Sequence, residues 1–311
     1  MLDSKRLSVV VPVFNEEDVL VEFRSRMEGV LNALPYDWEI VFVDDGSQDR
    51  TSEILKGFHK QNQNIKILSF SRNFGHQIAI TAGINEATGE AVVVIDADLQ
   101  DPPEVIKEFV GKWEEGYAVI YGVRRKRLGE GWFKRASAGF FYKFIRGLSG
   151  IDIPENAGDF RLIDKKVVEA LKQMPEQHRF VRGMIYWLGF KQVGVEFDRQ
   201  GRFAGQTKYP LKKMLRLALD SSVSFSILPL RLATLLGAIT AFLSLITLIW
   251  TLVEKFIYHA TVQGWTSLMI AVLFLGAVQL ISIGILGEYV GRNFQEAKRR
   301  PLFIIEDKIG L

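Results

Sequence analysis

Short apolar runs rich in valine and isoleucine alternate with amphipathic stretches from the start of the chain to Tyr121. The runs are continuous rather than strictly alternating, which is typical of strands buried on both faces of a parallel sheet. Five of them predict strands: Leu7 to Val13, Glu39 to Val43, Ile65 to Phe70, Ala91 to Ile95 and Tyr117 to Tyr121. The pattern predicts an α/β domain with a mostly parallel central sheet, whose ligands bind at the carboxyl ends of the strands.

Two long apolar segments follow, from Leu232 to Val253 and from Trp265 to Leu286. Each has about the 20 residues that an α-helix needs to cross the hydrocarbon core of a bilayer. Lys and Arg residues flank the pair at both outer ends, whereas the connection from Glu254 to Gly264 carries only Lys255 as a fixed cation. Buried helices of a soluble protein are the alternative. The charge pattern favours a transmembrane hairpin whose two outer ends face the cytoplasm.

Two further stretches have the amphipathic pattern of helices that lie at a membrane surface. In Trp132 to Leu148, a helical projection gathers large apolar residues on one face and places Arg135 and Arg146 opposite. The stretch Leu211 to Phe225 is a weaker candidate, and a core helix with solvated charges is the alternative for the first. The predicted division is a domain at 1–210, with an interfacial helix at 132–148, a juxtamembrane segment at 211–230, two spans within 231–290 and a cytoplasmic tail at 291–311.

Composition narrows the class of protein. Lys and Arg number 39 against 36 Asp and Glu, so any basic surface must come from local clustering. The absence of cysteine excludes a disulfide framework, a thiolate metal site and a cysteine nucleophile. Neither a G-x-G-x-x-G after the first strand nor a P-loop motif occurs, which weakens dehydrogenase and NTPase interpretations. The first residues lack a signal-peptide pattern, and we expect the first domain to stay in the cytoplasm.

The most specific polar pattern is DADLQ, Asp96 to Gln100, directly after the predicted strand that ends at Ile95. Carboxylates at the carboxyl end of a strand, with a neutral oxygen donor beyond them, suit a hard octahedral cation that also binds phosphate oxygens. A loop that only caps the next helix is the alternative, and it explains Asp101 better than Asp96 or Asp98. We therefore expect a metal site for a diphosphate here.

Acids and amides also follow the first two predicted strands. Asn15 and Glu16 come after the first strand, and Asp44 and Asp45 end the second. On a parallel sheet they share an edge with Asp96, where they could bind a nucleobase and a ribose. An ordinary turn and an ordinary helix start are the alternatives.

Six motifs in this order resemble family 2 glycosyltransferases of the GT-A fold. They are VPVFNEE (Val11 to Glu17), VDDGSQDRT (Val43 to Thr51), SRNFGHQIAI (Ser71 to Ile80), DADLQDPPE (Asp96 to Glu104), GDFRL (Gly158 to Leu162) and GQTKY (Gly205 to Tyr209). Within that family the chain is similar to the polyprenyl-phosphate sugar transferases, which include dolichyl-phosphate mannose synthase and the bactoprenol glucosyltransferases. The resemblance covers nearly the whole chain, and the C-terminal hairpin resembles the latter group in particular.

The resemblance implies a role for individual residues. The residues implied for the nucleotide sugar are Pro12, Asn15, Glu16, Asp44, Asp45 and Asp96, together with Arg202 and Lys208 on a loop that covers the diphosphate. Those implied around Mg²⁺ or Mn²⁺ are Asp96, Asp98 and Gln100. Asp159 resembles the acid beside the reacting centre, where it joins Asp96 as a catalytic residue. Whether Asp159 removes a proton or positions a group stays open.

The cationic run that follows the fifth predicted strand lies between the active-site edge and the predicted interfacial helix. The acceptor phosphate is therefore assigned to Arg124, Arg125, Arg127 and Arg135. A solvated run of charges is the alternative.

The expected activity is transfer of a hexose to polyprenyl (undecaprenyl) phosphate with inversion, at the cytoplasmic membrane. UDP-glucose is the favoured donor, and the product would serve cell-envelope glycan modification. The stretch Gln177 to Gly183 does not match the Q-x-x-R-W motif of processive synthases, so a single transfer is favoured. A mannosyl or amino-sugar transferase and a non-catalytic membrane sensor of nucleotide sugars are the alternatives. A homo-oligomer stays open.

Overall fold

The computed structural model describes residues 5–125, 157–198, 228–257 and 264–311. These residues form two compact units. The first contains the described residues up to 198 together with 300–311, and the second contains 228–257 and 264–299. The predicted interfacial helix at 132–148 and residues 211–227 lie outside the described residues.

In the described part of the first unit, the strands form one sheet in the order β7-β5-β6-β4-β1-β2-β3-β8. The strands are β1 (Arg6–Val13), β2 (Asp37–Asp44), β3 (Ile65–Phe70), β4 (Ala91–Val94), β5 (Val119–Arg124), β6 (Ala157–Asp164), β7 (Gln192–Phe197) and β8 (Ile305–Ile309). The pairs β4-β1, β1-β2, β2-β3 and β5-β7 are parallel. β6 is antiparallel to both of its neighbours, and β8 is antiparallel to β3. The predicted mostly parallel sheet is therefore confirmed.

Helices cover the two faces of this sheet. They are α1 (Leu20–Leu31), α2 (Thr51–Gln61), α3 (His76–Glu86), a 3₁₀ turn (Pro103–Val105), α4 (Ile106–Glu114), α5 (Lys165–Lys172) and α6 (Val181–Trp187). Phe42 of β2 packs into one apolar cluster with Phe23 of α1, while its neighbour Val43 packs into another with Ala79 of α3. Burial on both faces explains why the sequences of these strands are continuous apolar runs. Each large apolar side chain that is fully buried stabilises the fold by about 1.5–3 kcal/mol.

The structure corrects the predicted tail at 291–311. Residues 305–309 pair with β3 as the edge strand β8, and the Ser71 amide donates to the Ile304 carbonyl at 3.1 Å. The Phe303 ring stacks on Phe70 with 5.0 Å between centroids. The strand has the sequence IEDKI, whose charged residues are typical of an exposed edge strand. It therefore lacks the continuous apolar run that predicts a buried strand. The first domain therefore includes the end of the chain.

The second unit contains two long helices, α7 (Leu228–Phe256) and α8 (Trp265–Lys298). Both are long and apolar enough to cross a membrane by length and composition, over Leu230–Trp250 and Ile270–Lys298. The predicted spans lie within them, although α8 continues to Lys298 and α7 begins inside the predicted juxtamembrane segment. Large apolar side chains are exposed along both helices, as expected of lipid-facing surfaces.

Candidate active site

The carboxyl-end edge of the sheet brings together two acids that are far apart in the sequence. Asp96 follows β4 by two residues, and Asp159 lies near the start of β6. Because β6 runs antiparallel to β4 with Val94 opposite Arg161, the chain beyond Val94 and the start of β6 meet at this edge. The register therefore faces Asp96 with Asp159.

A row of alternating charges joins these acids. His76 Nε2 lies 3.5 Å from Asp96 Oδ1 and 3.4 Å from Asp159 Oδ2. Arg182 Nε lies 2.9 Å from Asp159 Oδ1. The charged row, Asp96–His76–Asp159–Arg182, thus combines the loop after β4, the first residue of α3, strand β6 and the second residue of α6.

The row shifts the pKa of each of its first three members. Burial raises the pKa of Asp96 to about 6, and nearby acids such as Asp159 add to the rise while His76 opposes it. Burial disfavours protonation of His76, but its contacts with Asp159 and Asp96 outweigh burial and raise its pKa to about 9. Burial also disfavours the charged form of Asp159, yet His76 and Arg182 hold its pKa well below the ordinary range. The imidazole is therefore cationic and Asp159 ionised at neutral pH.

Side chains of two neighbouring residues fix the position of Asp159. Gln77 Nε2 donates to Asp159 Oδ2 at 3.3 Å, while Gln77 Oε1 accepts from the Val181 amide at 3.0 Å. Arg161 Nη2 donates to the Gly158 carbonyl at 2.8 Å, and its Nε donates to the Asp159 carbonyl at 3.3 Å. Burial lowers the pKa of Arg161 to about 10. A carboxylate held ionised between such partners is a poor proton acceptor and a good positioning group.

The residues of DADLQ that are expected to bind a metal differ in their contacts. Within the described residues, Asp96 Oδ1 is buried without a hydrogen-bond partner, whereas Asp98 Oδ1 accepts from the Gln100 amide at 3.1 Å. Leu99 between them has φ 58°, and its side chain is only 2% exposed, so burial holds this turn. No group of three or more His, Cys, Asp or Glu suited to a metal occurs in the described ranges. Two carboxylates fit a hard cation whose other ligands are phosphate oxygens and water.

The loops after β1 and β2 bind each other through side chains. Ser47 Oγ accepts from the Asn15 amide at 3.0 Å, and Asn15 Oδ1 accepts from the Gln48 amide at 2.8 Å. Thr51 Oγ1 accepts from the Glu16 amide at 2.9 Å. Asn15 itself has φ 56°, a left-handed conformation that asparagine tolerates better than most residues. The structure thus joins these two predicted nucleotide loops at one edge.

The other predicted nucleotide residues are Pro12, Asp44 and Asp45, which are buried at the same edge. Asp44 Oδ1 accepts from the Ser47 amide at 2.9 Å. Asp45 accepts from the amides of Phe74 and Gly75 at 2.6 and 2.9 Å, and burial raises its pKa. In these contacts Asp45 fixes the loop that precedes His76. A nucleotide contact for it stays a prediction.

The predicted acceptor cations that the structure describes are engaged in ion pairs. Arg124 Nη2 lies 3.1 Å from Asp101 Oδ2, and Asp101 is only 2% exposed. Arg125 pairs at the surface with Glu196 and Asp198 at 3.5 and 3.2 Å. The remaining predicted cations, Arg127, Arg135, Arg202 and Lys208, lie outside the described residues.

Comparison with known families identifies the class of protein. A model of Glycosyl transferase family 2 matches residues 8–172, which include the loops after β1, β2 and β4 and the residues of β6. The chain belongs to glycosyl transferase family 2. A second model, the GtrB C-terminal hairpin, matches residues 228–292 of this glycosyltransferase. The resemblance to family 2 and the GT-A-type fold are both confirmed, and five of the six motifs lie within residues 8–172, whereas GQTKY lies outside both matched ranges.

Relatives match the glycosyltransferase over nearly its whole length. The uncharacterized glycosyltransferase YkcC of Bacillus subtilis (strain 168) is 48% identical over 98% of this chain and 94% of its own. The bactoprenol glucosyl transferase of Shigella phage SfV is 41% identical over 97% of this chain and 99% of its own. A solved structure, mannosyl-3-phosphoglycerate synthase from Rubrobacter xylanophilus, is 17% identical, with a TM-score of 0.48 over 71% of this chain and 73% of that chain.

Sequence reasoning missed three residues of this candidate site: His76, Gln77 and Arg182. The first two stand inside the motif SRNFGHQIAI, and Arg182 stands in the segment rejected as a Q-x-x-R-W match. His76 is one of four histidines in the chain, and its place inside one of the six motifs was a usable signal. Arg182 gave no signal of its own, because its contact with Asp159 depends on the packing of α6.

Proposed function

We propose that this glycosyltransferase transfers glucose from UDP-glucose to the phosphate of a polyprenyl lipid, undecaprenyl phosphate, with inversion. The observation that carries the proposal is the pairing of Asp96 and Asp159 across His76, in a chain similar to a bactoprenol glucosyl transferase through both units. The product would be a lipid-linked sugar phosphate for modification of cell-envelope glycans.

The donor end of the reaction lies at Asp96. Asp96 and Asp98 would hold Mg²⁺ or Mn²⁺ together with the predicted Gln100, and this ion supplies positive charge where negative charge develops on the leaving diphosphate. Asp96 Oδ1, which is buried and has no hydrogen bond within the described residues, supports this assignment. The joined loops of Asn15 and Asp44 would bind the nucleoside, and Arg202 and Lys208 would cover the diphosphate.

The acceptor end of the reaction lies on the other side of the sugar. An oxygen of the lipid phosphate attacks the anomeric carbon as the bond from that carbon to the UDP oxygen breaks, so an α-linked donor gives a β-linked product. A phosphate monoester has its second pKa near 6 and is already mostly ionised at neutral pH, so no strong base is needed. Asp159, which His76 and Arg182 hold ionised, acts in this account as a positioning group.

The two apolar helices explain how the enzyme meets its acceptor. A long polyprenyl chain stays in the bilayer while its phosphate reaches the interface. Helices α7 and α8 would anchor the catalytic domain at the same surface, which raises the effective concentration of the acceptor. We place the catalytic domain and both chain ends on the cytoplasmic side of the cytoplasmic membrane, because Lys and Arg flank the outer ends of the hairpin.

The test uses the purified full-length protein in liposomes that contain undecaprenyl phosphate. Radiolabelled UDP-glucose, GDP-mannose and UDP-linked amino sugars are supplied in turn with Mg²⁺, with Mn²⁺ or with a chelator. The proposal predicts that label from UDP-glucose enters the lipid phase only when a divalent ion is present, and that NMR of the product shows the β anomer. Preferred transfer of mannose or an amino sugar would show that UDP-glucose is not the donor. Donor binding without any transfer would support a non-catalytic sensor.

A further inference from the structure

Arg182 has binding capacity that the fold does not use. Its Nε contacts Asp159, and its Nη1 donates to the Ala157 carbonyl at 3.0 Å. Among the described residues, Nη2 has no hydrogen-bond partner, and the side chain is 27% exposed. A guanidinium carries five N–H donors in a planar fork that matches carboxylate and phosphate oxygens. Part of this fork is therefore unused, on a side chain that is partly exposed.

The position of Arg182 in the charged row is equally informative. Asp96, the proposed metal ligand on the side of the leaving diphosphate, is at one end, and Arg182 is at the other. Inversion requires the attacking oxygen to approach the anomeric carbon from the side opposite the diphosphate. An acceptor phosphate at the Arg182 end of the row meets this requirement.

Charge balance also calls for a cation at this end. A phosphate dianion that approaches ionised Asp159 is repelled by the carboxylate, and a cation beside the phosphate offsets this repulsion. Arg124 and Arg125 are engaged by Asp101 and by surface acids, and buried Arg161 is bonded to backbone carbonyls. Among these described arginines, Arg182 is the one in direct ion-pair contact with the Asp159 carboxylate, and it keeps partial exposure and unused donors.

We propose that Arg182 binds the phosphate group of the acceptor, with Asp159 orienting its guanidinium and Gln77 holding Asp159. The inference rests on the proposed function, because it assumes a phosphate monoester as acceptor. It moves part of the acceptor site from the basic run after β5 to the start of α6. Asp159 then acts on the acceptor indirectly, because it orients the Arg182 guanidinium that binds the phosphate.

Steady-state transfer by Arg182→Gln and Arg182→Lys tests the proposal. Undecaprenyl phosphate is varied at saturating UDP-glucose, and the affinity for UDP-glucose is measured separately by titration. We expect the acceptor KM to rise by about 10- to 100-fold in Arg182→Gln, with donor affinity within about twofold of the wild type. Arg182→Lys keeps the charge but loses the planar fork of donors, so its acceptor KM should lie between those of the wild type and Arg182→Gln. Arg24→Gln is the matched control, since Arg24 is a partly buried arginine paired with Glu28 within α1.

The outcomes separate this inference from the proposed function. A wild-type acceptor KM in both Arg182 variants would overturn the inference while transfer by the unmodified enzyme still supports the proposed function. A parallel loss of donor and acceptor affinity would also overturn it, because that result indicates a purely structural role. If Arg182→Gln does not fold, Arg182→Lys alone decides between these results. Failure of the unmodified enzyme to label the lipid would instead contradict the proposed function.

Discussion

An acid lies at each of the two edges of the sheet, and the two acids differ in the partners that the chain supplies. At the amino-end edge, Glu39 is 1% exposed, and its Oε1 accepts from Ser8 Oγ at 2.5 Å and from the Thr88 amide at 2.7 Å. Lys66 Nζ lies 2.7 Å from its Oε2. At the carboxyl-end edge, the charged partner of buried Asp96 Oδ1 is His76 Nε2, at the longer distance of 3.5 Å, and no hydrogen bond to this oxygen occurs within the described residues.

The pKa shifts record the same difference. Burial disfavours the charge of Glu39, but Lys66, Ser8 and Thr88 outweigh it and lower the pKa. For Asp96, burial and neighbouring acids prevail and raise the pKa to about 6. An acid whose partners are all supplied by the chain stabilises the fold, whereas an acid left short of partners is available to a ligand.

Asp96→Asn should produce the largest effect. Loss of the carboxylate removes the proposed metal ligand, so we expect the transfer rate to fall on the order of 10²- to 10³-fold. The melting temperature should change little, because burial already disfavours the charge of Asp96 and its contact with His76 is long, at 3.5 Å. Initial rates and thermal unfolding on the same preparation check this. A rate near that of the wild type would show that Asp96, like Glu39, has a structural role and no catalytic one.

Asp159→Asn should reduce the rate by roughly 100-fold, through loss of the charge that positions His76 and Arg182. The lowered pKa of Asp159 means that it is already ionised at neutral pH, so its titration should not appear in a pH–rate profile from about pH 5 to 9. Rates of both proteins across this range provide the test. Recovery of the variant's rate at high pH would show that Asp159 removes a proton.

Glu39→Gln should affect stability and leave kcat unchanged. Removal of one partner from this buried network is expected to cost about 1–3 kcal/mol at neutral pH. Because the folded-state pKa lies below the usual value of 4.5, Glu39 stabilises the fold above that pH and loses its contribution as the pH falls. Urea unfolding at neutral and acidic pH checks the sign. Glu169→Gln, which alters an exposed ion pair with Lys172, is the control and should change stability little.

Phe303→Ala should give the smallest effect and tests the support of the carboxyl-end edge. Phe303 and Phe74 both pack against Phe70, and Phe74 leads into the loop that Asp45 fixes before His76. We expect a loss of about 1–2 kcal/mol in unfolding free energy, since the ring is only partly buried. The rate should fall far less than in Asp96→Asn. A comparable loss of rate would mean that β8 controls the site rather than buttressing it.

The strands that could be predicted were those with continuous apolar runs. β1 to β4 match their predicted runs within two residues at each end, and β5 overlaps its predicted run. β6 was missed because GDFRL was interpreted as a site motif, and β8 because its edge position keeps charged residues such as Asp307 and Lys308. Apolar periodicity reports burial, and an edge strand has little of it.

For the site, sequence motifs predicted the acids but not what surrounds them. Asp96 and Asp159 stand in recognisable motifs, whereas Gln77 lies 82 residues before Asp159 and 104 before Val181 along the chain. Their contact depends on the antiparallel course of β6 and on the packing of α6 beside it. Neither feature is coded in a local pattern, so the partners of Asp159 emerged only from the fold.

The most direct measurement of the central claim compares label transfer from UDP-glucose to undecaprenyl phosphate in liposomes at equal folded protein. The proteins are the wild type, Asp96→Asn and Glu39→Gln, with the folded fraction set by the unfolding curves. The account predicts that Asp96→Asn is folded but nearly inactive, while folded Glu39→Gln transfers glucose at the wild-type rate. Full transfer by Asp96→Asn, or loss of transfer in folded Glu39→Gln, would contradict the assignment of catalysis to the carboxyl-end edge.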